Sequence, residues 1–122
     1  MAGSVASTGR GNAQVARLIA KTRHEAGLTT AELANVVGIG HRQLQNWAAG
    51  TSTPATNEKL RRLLDLTYVL DLVEEIYGEE ASMTWMHARN RMLEGERPLD
   101  LFTEGKADEV IALLDRLADG NL

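Results

Sequence analysis

Four polar residues in the segment 28–50, LTTAELANVVGIGHRQLQNWAAG, have the types and spacing needed to recognise DNA. His41, Arg42 and Gln43 stand in a row, and Asn46 follows one helical turn later. Arginine can donate two hydrogen bonds to guanine, and Gln or Asn can form a similar pair of bonds with adenine. At the exposed start of a helix, these side chains would reach base edges in the major groove. The group therefore predicts binding to DNA.

Two short helices joined by a tight turn would be needed to position this group. Residues 29–32 match a capping box, in which a Thr hydroxyl serves the first-turn amides and Glu32 bonds back to the cap. Gly38 ends this helix, and a second helix begins near His41 and ends at Gly50. The buried positions that would fix the angle between the helices are Leu33, Ala34, Val37, Ile39, Leu44 and Trp47. This pattern is typical of a helix-turn-helix.

The segments on either side of this unit are also predicted to be helical. Residues 1–11 are Gly, Ser, Ala and Thr with few apolar side chains, which predicts a disordered lead-in. A helix then begins at Asn12 and ends before Gly27. A long helix spans residues 56–77, and Pro54 suits its first turn. Because apolar side chains cover more than one face of this helix, both faces must be buried, within the chain or against a second copy.

Three shorter helices are expected in the last third of the chain. The first spans residues 80–93, a brief helical turn spans Pro98–Phe102, and the last follows Gly105 and stops at Gly120. Nothing alternates with the period of two that a half-buried strand would show. The sequence therefore predicts an all-α protein: an N-terminal helix-turn-helix unit, a long connecting helix and a C-terminal region of three helices.

Charge is divided unequally along the chain. The net charge is −4, but residues 1–50 carry +3 and residues 51–122 carry −7. Such asymmetry suggests that the first half meets a polyanion while the second half has another partner.

The composition argues against an enzyme, a metal site or a cofactor. Without Cys there is no thiol nucleophile, disulfide or zinc–thiolate site. His24, His41 and His87 are too scattered for a metal, and Glu94 and Glu96 face apart on a helix end. No Gly-rich phosphate loop follows a strand. Since neither a signal peptide nor a bilayer-spanning stretch is evident, we expect a soluble cytoplasmic protein.

The segment from Val15 to Leu64 resembles the Xre and phage-repressor family of helix-turn-helix proteins, including its exit loop at residues 50–54. The resemblance implies that Thr30 and Thr51 contact phosphate, and that His41, Arg42, Gln43 and Asn46 contact bases or backbone. The chain departs from the family at Gly40, where a Ser or Thr cap is usual, and at residues 48–49, which are Ala. The alternative is a packing module that no longer binds DNA.

A second pattern lies in the C-terminal half. Its members are Trp85, Asn90, Leu93, Gly95, Pro98, Leu99 and Gly105. The pattern predicts two helices joined by a sharp corner and closed by a third, with the Asn90 amide tying the backbone of the corner. From the residues alone, a helical dimerisation or core module is the favoured interpretation.

The same pattern resembles the C-terminal domain of the MbcA/ParS/Xre antitoxin family, over residues 74–122. Members of that family pair with RES-domain toxins that consume NAD, and the C-terminal end of the antitoxin covers the toxin's active site. The resemblance implies that the end of this chain contacts a toxin through Arg116, Leu117, Asp119, Gly120, Asn121 and Leu122. An acidic tail suits a site that binds an anionic dinucleotide, although Asp115 and Asp119 could equally form a solvated face.

These observations predict four segments: a lead-in at 1–11, a DNA-binding unit at 12–55, a connecting and dimerisation helix at 56–78, and a toxin-binding region at 79–122. The leading hypothesis is an antitoxin of a type II toxin–antitoxin system that also represses its own operon. Its expected partners are a RES-domain toxin, operator DNA and further copies of itself, as a homodimer or higher oligomer. The alternatives are a stand-alone repressor and an interaction module with a vestigial DNA-binding unit.

Overall fold

The computed structural model describes residues 2–52 and 57–120. Its helices are α1 (Ala2–Ala26), α2 (Thr30–Val37), α3 (His41–Ala48), α4 (Asn57–Tyr77), α5 (Ser82–His87), α6 (Pro98–Thr103) and α7 (Ala107–Asp119), with a 3₁₀ turn at Arg91–Leu93. The all-α prediction is confirmed for this part of the chain. None of the described helices is both long and apolar enough to cross a membrane.

The first helix is longer than the sequence predicts. It begins at Ala2 and includes residues that the composition assigns to a disordered lead-in, whereas the predicted start is Asn12. Once a helix is nucleated, each added residue gains one backbone hydrogen bond without a new nucleation cost, and no Pro interrupts this stretch. The predicted end is confirmed, because Gly27 follows the helix with φ +64°.

The predicted capping box at the start of α2 is present. The Thr29 hydroxyl accepts the Glu32 N–H at 3.1 Å, and the Glu32 carboxylate accepts the Thr29 N–H at 2.8 Å. Gly38 ends the helix with φ +81° and donates its N–H to the Ala34 carbonyl at 2.8 Å. α3 begins after Gly40, and because glycine has no side chain, this helix lacks a side-chain cap. Both helices thus begin where the sequence predicts, and α3 ends at Ala48, two residues before Gly50.

The central element is α4, which packs against α1, α2 and α5 as well as against α7. Its buried residues are Leu63, Leu66, Val69, Leu70, Leu72 and Val73. They join the helix-turn-helix and the C-terminal helices in one hydrophobic core. Both apolar faces are therefore covered within the chain, although Leu64 and Tyr68 stay exposed. The predicted first turn at Pro54 and Thr56 lies outside the described residues.

The predicted helix at 80–93 is wrong in its second half. α5 ends at His87, and Asn90 caps a separate 3₁₀ turn by accepting the Met92 N–H on its side-chain oxygen at 2.9 Å. The Asn90 N–H donates to the Glu96 carbonyl at 3.1 Å, which closes the corner. An Asn side chain competes with helical hydrogen bonds in this way. The break therefore arises from the role that the sequence predicts for Asn90.

The last two helices are bounded by the expected Pro and Gly residues. Pro98 is the first residue of α6, where its missing N–H costs nothing. Gly105, with φ +79°, separates α6 from α7, and Gly120, with φ +71°, ends α7. α6 and α7 pack on each other, and α6 also packs on α2.

The capping box predicts a pH-dependent contribution to stability. The backbone N–H and the hydroxyl of Thr29 hydrogen-bond the Glu32 carboxylate and lower the pKa of Glu32 below its ordinary value of 4.5. Since the folded pKa is lower than the unfolded one, the contribution is complete above pH 4.5 and is lost as the pH falls through the folded pKa. Glu32→Gln should therefore destabilise the protein near pH 7 and converge with the wild type in acid.

Urea unfolding at several pH values would measure this difference. Thr29→Ala, which removes the other half of the box, should cost about 1 kcal/mol at pH 7. A constant difference between Glu32→Gln and the wild type from pH 7 to pH 3 would contradict the assignment.

Candidate functional site

The predicted DNA-contacting side chains of α3 lie together on its solvent side. His41, Arg42, Gln43 and Asn46 are exposed, whereas Leu44 and Trp47 on the opposite side are buried. α3 packs on α1 and α2, so its outer face is held by the core beneath it. The arrangement presents one cationic and two amide side chains at a helix surface, which is the chemistry that reads base edges.

Thr51 has a second role that the sequence did not indicate. Its hydroxyl and its N–H both donate to the Asn46 carbonyl, each at 3.0 Å. Thr51 thus satisfies a carbonyl at the end of α3 while remaining exposed. The hydroxyl oxygen still has lone pairs, but its hydrogen is engaged within the protein.

Thr30 occupies a different part of the unit. It is the first residue of α2 and is half-buried, while Thr29 provides the cap. The same helix borders a cleft of about 250 Å³ against α6, lined in part by Glu32, Arg97 and Asp100. Arg97 donates two hydrogen bonds to Asp100, at 2.9 and 2.8 Å, and this lowers the pKa of Asp100. Two carboxylates therefore lie near the end of α2 at which phosphate is predicted.

Two cations on α4 support the α2–α3 turn and were missed in the sequence. Lys59 Nζ donates to the Gly38 carbonyl at 2.8 Å, and Arg62 Nη1 donates to the Val37 carbonyl at 3.2 Å. No acidic residue occurs between Glu32 and Glu58. The turn is therefore a positively charged region, built from residues more than twenty positions apart.

Arg62 also reaches the C-terminal helices. Its Nη1 occupies the space that a Cβ on Gly38 would need, and its Nη2 is 3.0 Å from the position of a Cβ on Gly105. Both glycines have positive φ, so neither position favours a side chain. One guanidinium thus lies between the helix-turn-helix and the turn that joins α6 to α7.

A groove of about 370 Å³ lies beside that second turn. Its charged lining residues are Glu94, Glu96, Glu104, Lys106, Glu109 and Arg116. Met92 lies at the same groove with its side chain half exposed, and Leu93 and Leu101 contribute buried apolar surface. Four carboxylates against two cations make the groove acidic, which suits a cationic protein partner.

The structure separates the predicted toxin-contacting residues into two groups. Arg116 lines the groove, and Asp119 and Gly120 are exposed at the end of α7. Leu117, in contrast, is half-buried and packs against the core. Asn121 and Leu122 lie outside the described residues.

In residues 2–52 and 57–120, no group of three or more His, Cys, Asp or Glu could hold a metal ion.

The position of Arg62 predicts a difference between two glycines of nearly equal φ. Gly38 and Gly95 have φ of +81° and +84°, but open space surrounds the Cβ position of Gly95. Gly95→Ala should cost about 1–2 kcal/mol for the left-handed backbone. Gly38→Ala should cost more, because it also displaces Arg62 from the Val37 carbonyl.

Urea unfolding of both variants would measure this difference, with Arg62→Met as the matched background. In that background, the extra cost at Gly38 should disappear. Equal losses for the two glycine variants in the wild-type background would contradict the proposed contact.

Comparison with known proteins identifies a family for the C-terminal part of the chain. The family model described as "Antitoxin Xre/MbcA/ParS C-terminal toxin-binding domain" matches residues 62–120. It thus begins within α4, twelve positions before the resemblance recognised in the sequence. The match therefore includes the buried part of α4 that packs on α7.

Similar proteins are found among mycobacterial antitoxins. The "mycobacterial cidal antitoxin MbcA" of Mycobacterium tuberculosis is 36% identical over 94 residues, which are 77% of this chain and 82% of that protein. A second M. tuberculosis protein, a "probable mycobacterial cidal antitoxin", is 30% identical over 96 residues, covering 77% and 79% of the two chains. A chain of the crystal structure of the M. tuberculosis MbcT–MbcA toxin–antitoxin complex superposes with a TM-score of 0.67 at 33% identity, over 88% of this chain and 96% of that one.

Proposed function

The chain belongs to the family of Xre/MbcA/ParS antitoxins, and from this premise we propose that it neutralises a RES-domain, NAD-consuming toxin by covering its active site and represses its own operon by binding operator DNA. It acts in the cytoplasm by binding and not by catalysis. Membership of an antitoxin family favours this function over a stand-alone repressor.

The observation that carries the toxin-binding proposal is the position of the end of α7 beside the acidic groove. Arg116 belongs to both the groove and the predicted contact segment, and Asp119 and Gly120 continue from it into solvent. The family match covers this whole region. A toxin site that binds an anionic dinucleotide presents positive charge, which a negatively charged antitoxin surface complements.

The DNA-binding proposal is supported by the exposed face of α3. Arg42, Gln43 and Asn46 are free of the core on that face, and Lys59 and Arg62 add positive charge behind the turn. Because Lys59 and Arg62 hydrogen-bond the carbonyls of Gly38 and Val37, their positive charge is fixed at the turn between α2 and α3. This charge favours attraction to the DNA backbone, whereas the side chains of α3 would select the base sequence.

We predict that Arg42→Ala and Gln43→Ala relax the choice of operator. Each lost base contact should cost about 1–3 kcal/mol on the operator and much less on unrelated DNA. Fluorescence anisotropy on DNA from upstream of the chain's own gene, and on a scrambled duplex, would measure both. Arg91→Ala is the matched control, because Arg91 is exposed on the 3₁₀ turn and carries the same charge.

An equal loss on both duplexes would indicate a phosphate contact and would contradict base reading by Arg42 and Gln43. Affinity that does not fall with salt would contradict DNA binding itself.

A separate prediction concerns the end of α7. Removal of residues 119–122 should abolish inhibition of the toxin's NAD consumption and leave operator binding intact. The cut begins at Asp119 because Asp115 accepts the Tyr68 hydroxyl at 2.8 Å and Leu117 packs on the core. A longer deletion that begins at Asp115 would also remove both of these contacts and would therefore damage the fold.

NAD consumption by the co-purified partner would be measured with and without each variant, and thermal unfolding would verify the fold. Glu96→Lys, which reverses one of the carboxylates of the groove, should weaken inhibition in the full-length chain. Unchanged inhibition in both variants would show that the toxin is covered by another surface.

A further inference from the structure

Sulfur occurs in this chain only as the thioether of Met. The sequence has no Cys and four Met residues, of which Met1 lies outside the described residues. Met86 is fully buried, whereas Met83 is 50% exposed and Met92 is 48% exposed. Peroxides oxidise an exposed thioether to the sulfoxide, which turns an apolar side chain into a polar one. In the folded chain, Met83 and Met92 are therefore open to this oxidation and Met86 is protected from it.

Met92 borders the acidic groove beside the turn between α6 and α7. The buried side chains of Leu93 and Leu101 contribute apolar surface to the same groove, and Glu94 and Glu96 contribute negative charge. Met92 is thus a large exposed apolar side chain on a surface lined mostly by charged groups. A flexible thioether adapts its shape to a partner and is common at surfaces that bind proteins. A toxin seated in the groove would cover Met92.

The corner after α5 fixes the position of Met92. The side-chain oxygen of Asn90 accepts the Met92 N–H at 2.9 Å. The Asn90 carbonyl accepts the N–H groups of Leu93 at 3.0 Å and of Gly95 at 2.9 Å. These bonds hold the backbone around Met92, so a partner that covers its side chain does not have to order the chain beneath it, which lowers the entropic cost of binding.

Met83 has a similar exposure but lies elsewhere on the molecule. It belongs to α5 and covers Gly27 at the end of α1, where a Cβ would lie 2.8 Å from Met83 Cε. Met83 does not line the acidic groove. It therefore provides an equally exposed thioether away from the proposed toxin contact.

We propose that Met92 is an apolar contact for the toxin and a site of reversible oxidation, at which a peroxide weakens neutralisation of the toxin. This inference rests on the proposed function, because it takes the acidic groove as a surface that the toxin covers. It adds to that function a regulator of defined chemistry, hydrogen peroxide, and the residue on which it acts.

The oxidation is a two-electron transfer of oxygen to sulfur. The Met92 sulfur attacks one oxygen of hydrogen peroxide, so that an S–O bond forms as the O–O bond breaks. The sulfur is oxidised and the peroxide is reduced. The departing hydroxide takes the proton of the transferred oxygen and leaves as water. A methionine sulfoxide reductase, with a thiol as the electron donor, returns the thioether and releases the oxygen as water.

A sulfoxide at position 92 acts on the complex more than on the free chain. In the free chain, water hydrates the new oxygen because the side chain is half exposed. Under a bound toxin, the oxygen replaces an apolar contact and loses that water, and burial of a polar group without a new hydrogen bond is unfavourable. Oxidation of Met92 therefore lowers the affinity for the toxin.

Oxidative footprinting of the full-length chain tests the contact. The chain is treated with hydrogen peroxide alone and in complex with the co-purified toxin, and peptide mass spectrometry measures the sulfoxide at each Met. In the free chain, Met83 and Met92 should oxidise at comparable rates and Met86 about tenfold or more slowly, because burial limits the reaction. Bound toxin should slow oxidation of Met92 about tenfold and leave that of Met83 unchanged.

A titration of the toxin's NAD consumption tests the regulation. The free antitoxin is oxidised, catalase removes the remaining peroxide, and each variant is compared with its own untreated sample. Oxidised wild type should need about tenfold or more protein for half-maximal inhibition, and sulfoxide reductase should reverse this loss. Met92→Leu, which keeps an apolar side chain without sulfur, should show no change on oxidation. Met83→Leu, the matched control, should lose as much potency as the wild type.

The outcomes separate this inference from the proposed function. An untreated wild type that does not inhibit the toxin defeats the proposed function. If the untreated wild type inhibits, an unprotected Met92 in the complex would overturn the contact. Equal potency of the wild type before and after oxidation, or a loss of potency that Met92→Leu shares, would overturn the regulation.

Discussion

The burial of α4 on opposite sides determines how the rest of the chain is arranged. Leu63, Leu66, Leu70 and their buried neighbours are in contact with helices from both halves of the sequence. A helix that is apolar on two faces is stable in water only when both faces are covered. Neither the helix-turn-helix nor the C-terminal helices can therefore complete a core without α4. The outer face of α3 and the groove beside α7 are consequently held in a fixed position relative to each other.

The local signals in the sequence were sufficient for most of the fold. The capping box at Thr29, the glycines after the helices and the Asn90 corner each act through neighbouring residues, and each is present. The helix predicted at 80–93 was wrong because apolar spacing continues through a segment in which Asn90 interrupts the hydrogen bonds. Periodicity indicates which residues are buried, but it does not indicate where a side chain replaces the helical partner of an amide.

The sequence was sufficient to predict those parts of the candidate sites that lie on a single helix. Helical spacing on α3 was enough to place Arg42 and Gln43 outside and Trp47 inside. It did not reveal Lys59 and Arg62, because their partners are carbonyls of a helix distant in sequence. Leu117 was assigned to the toxin surface with its neighbours, yet it packs inward because α7 continues its buried stripe to its last turn. Both differences come from tertiary contacts that no local pattern contains.

A shared core has a consequence for the two binding activities that we propose. Because the outer face of α3 and the groove beside α7 rest on one hydrophobic core, cooperative unfolding of that core disrupts both. A ligand that binds only the folded state stabilises it by RT ln(1 + [L]/Kd), about 2.7 kcal/mol at a hundredfold excess over Kd. Under the proposed function, toxin bound at the acidic groove would therefore also stabilise α3, which does not line that groove. The stability of the proposed DNA-contacting face would then depend on the concentration of toxin, with no rearrangement of either surface.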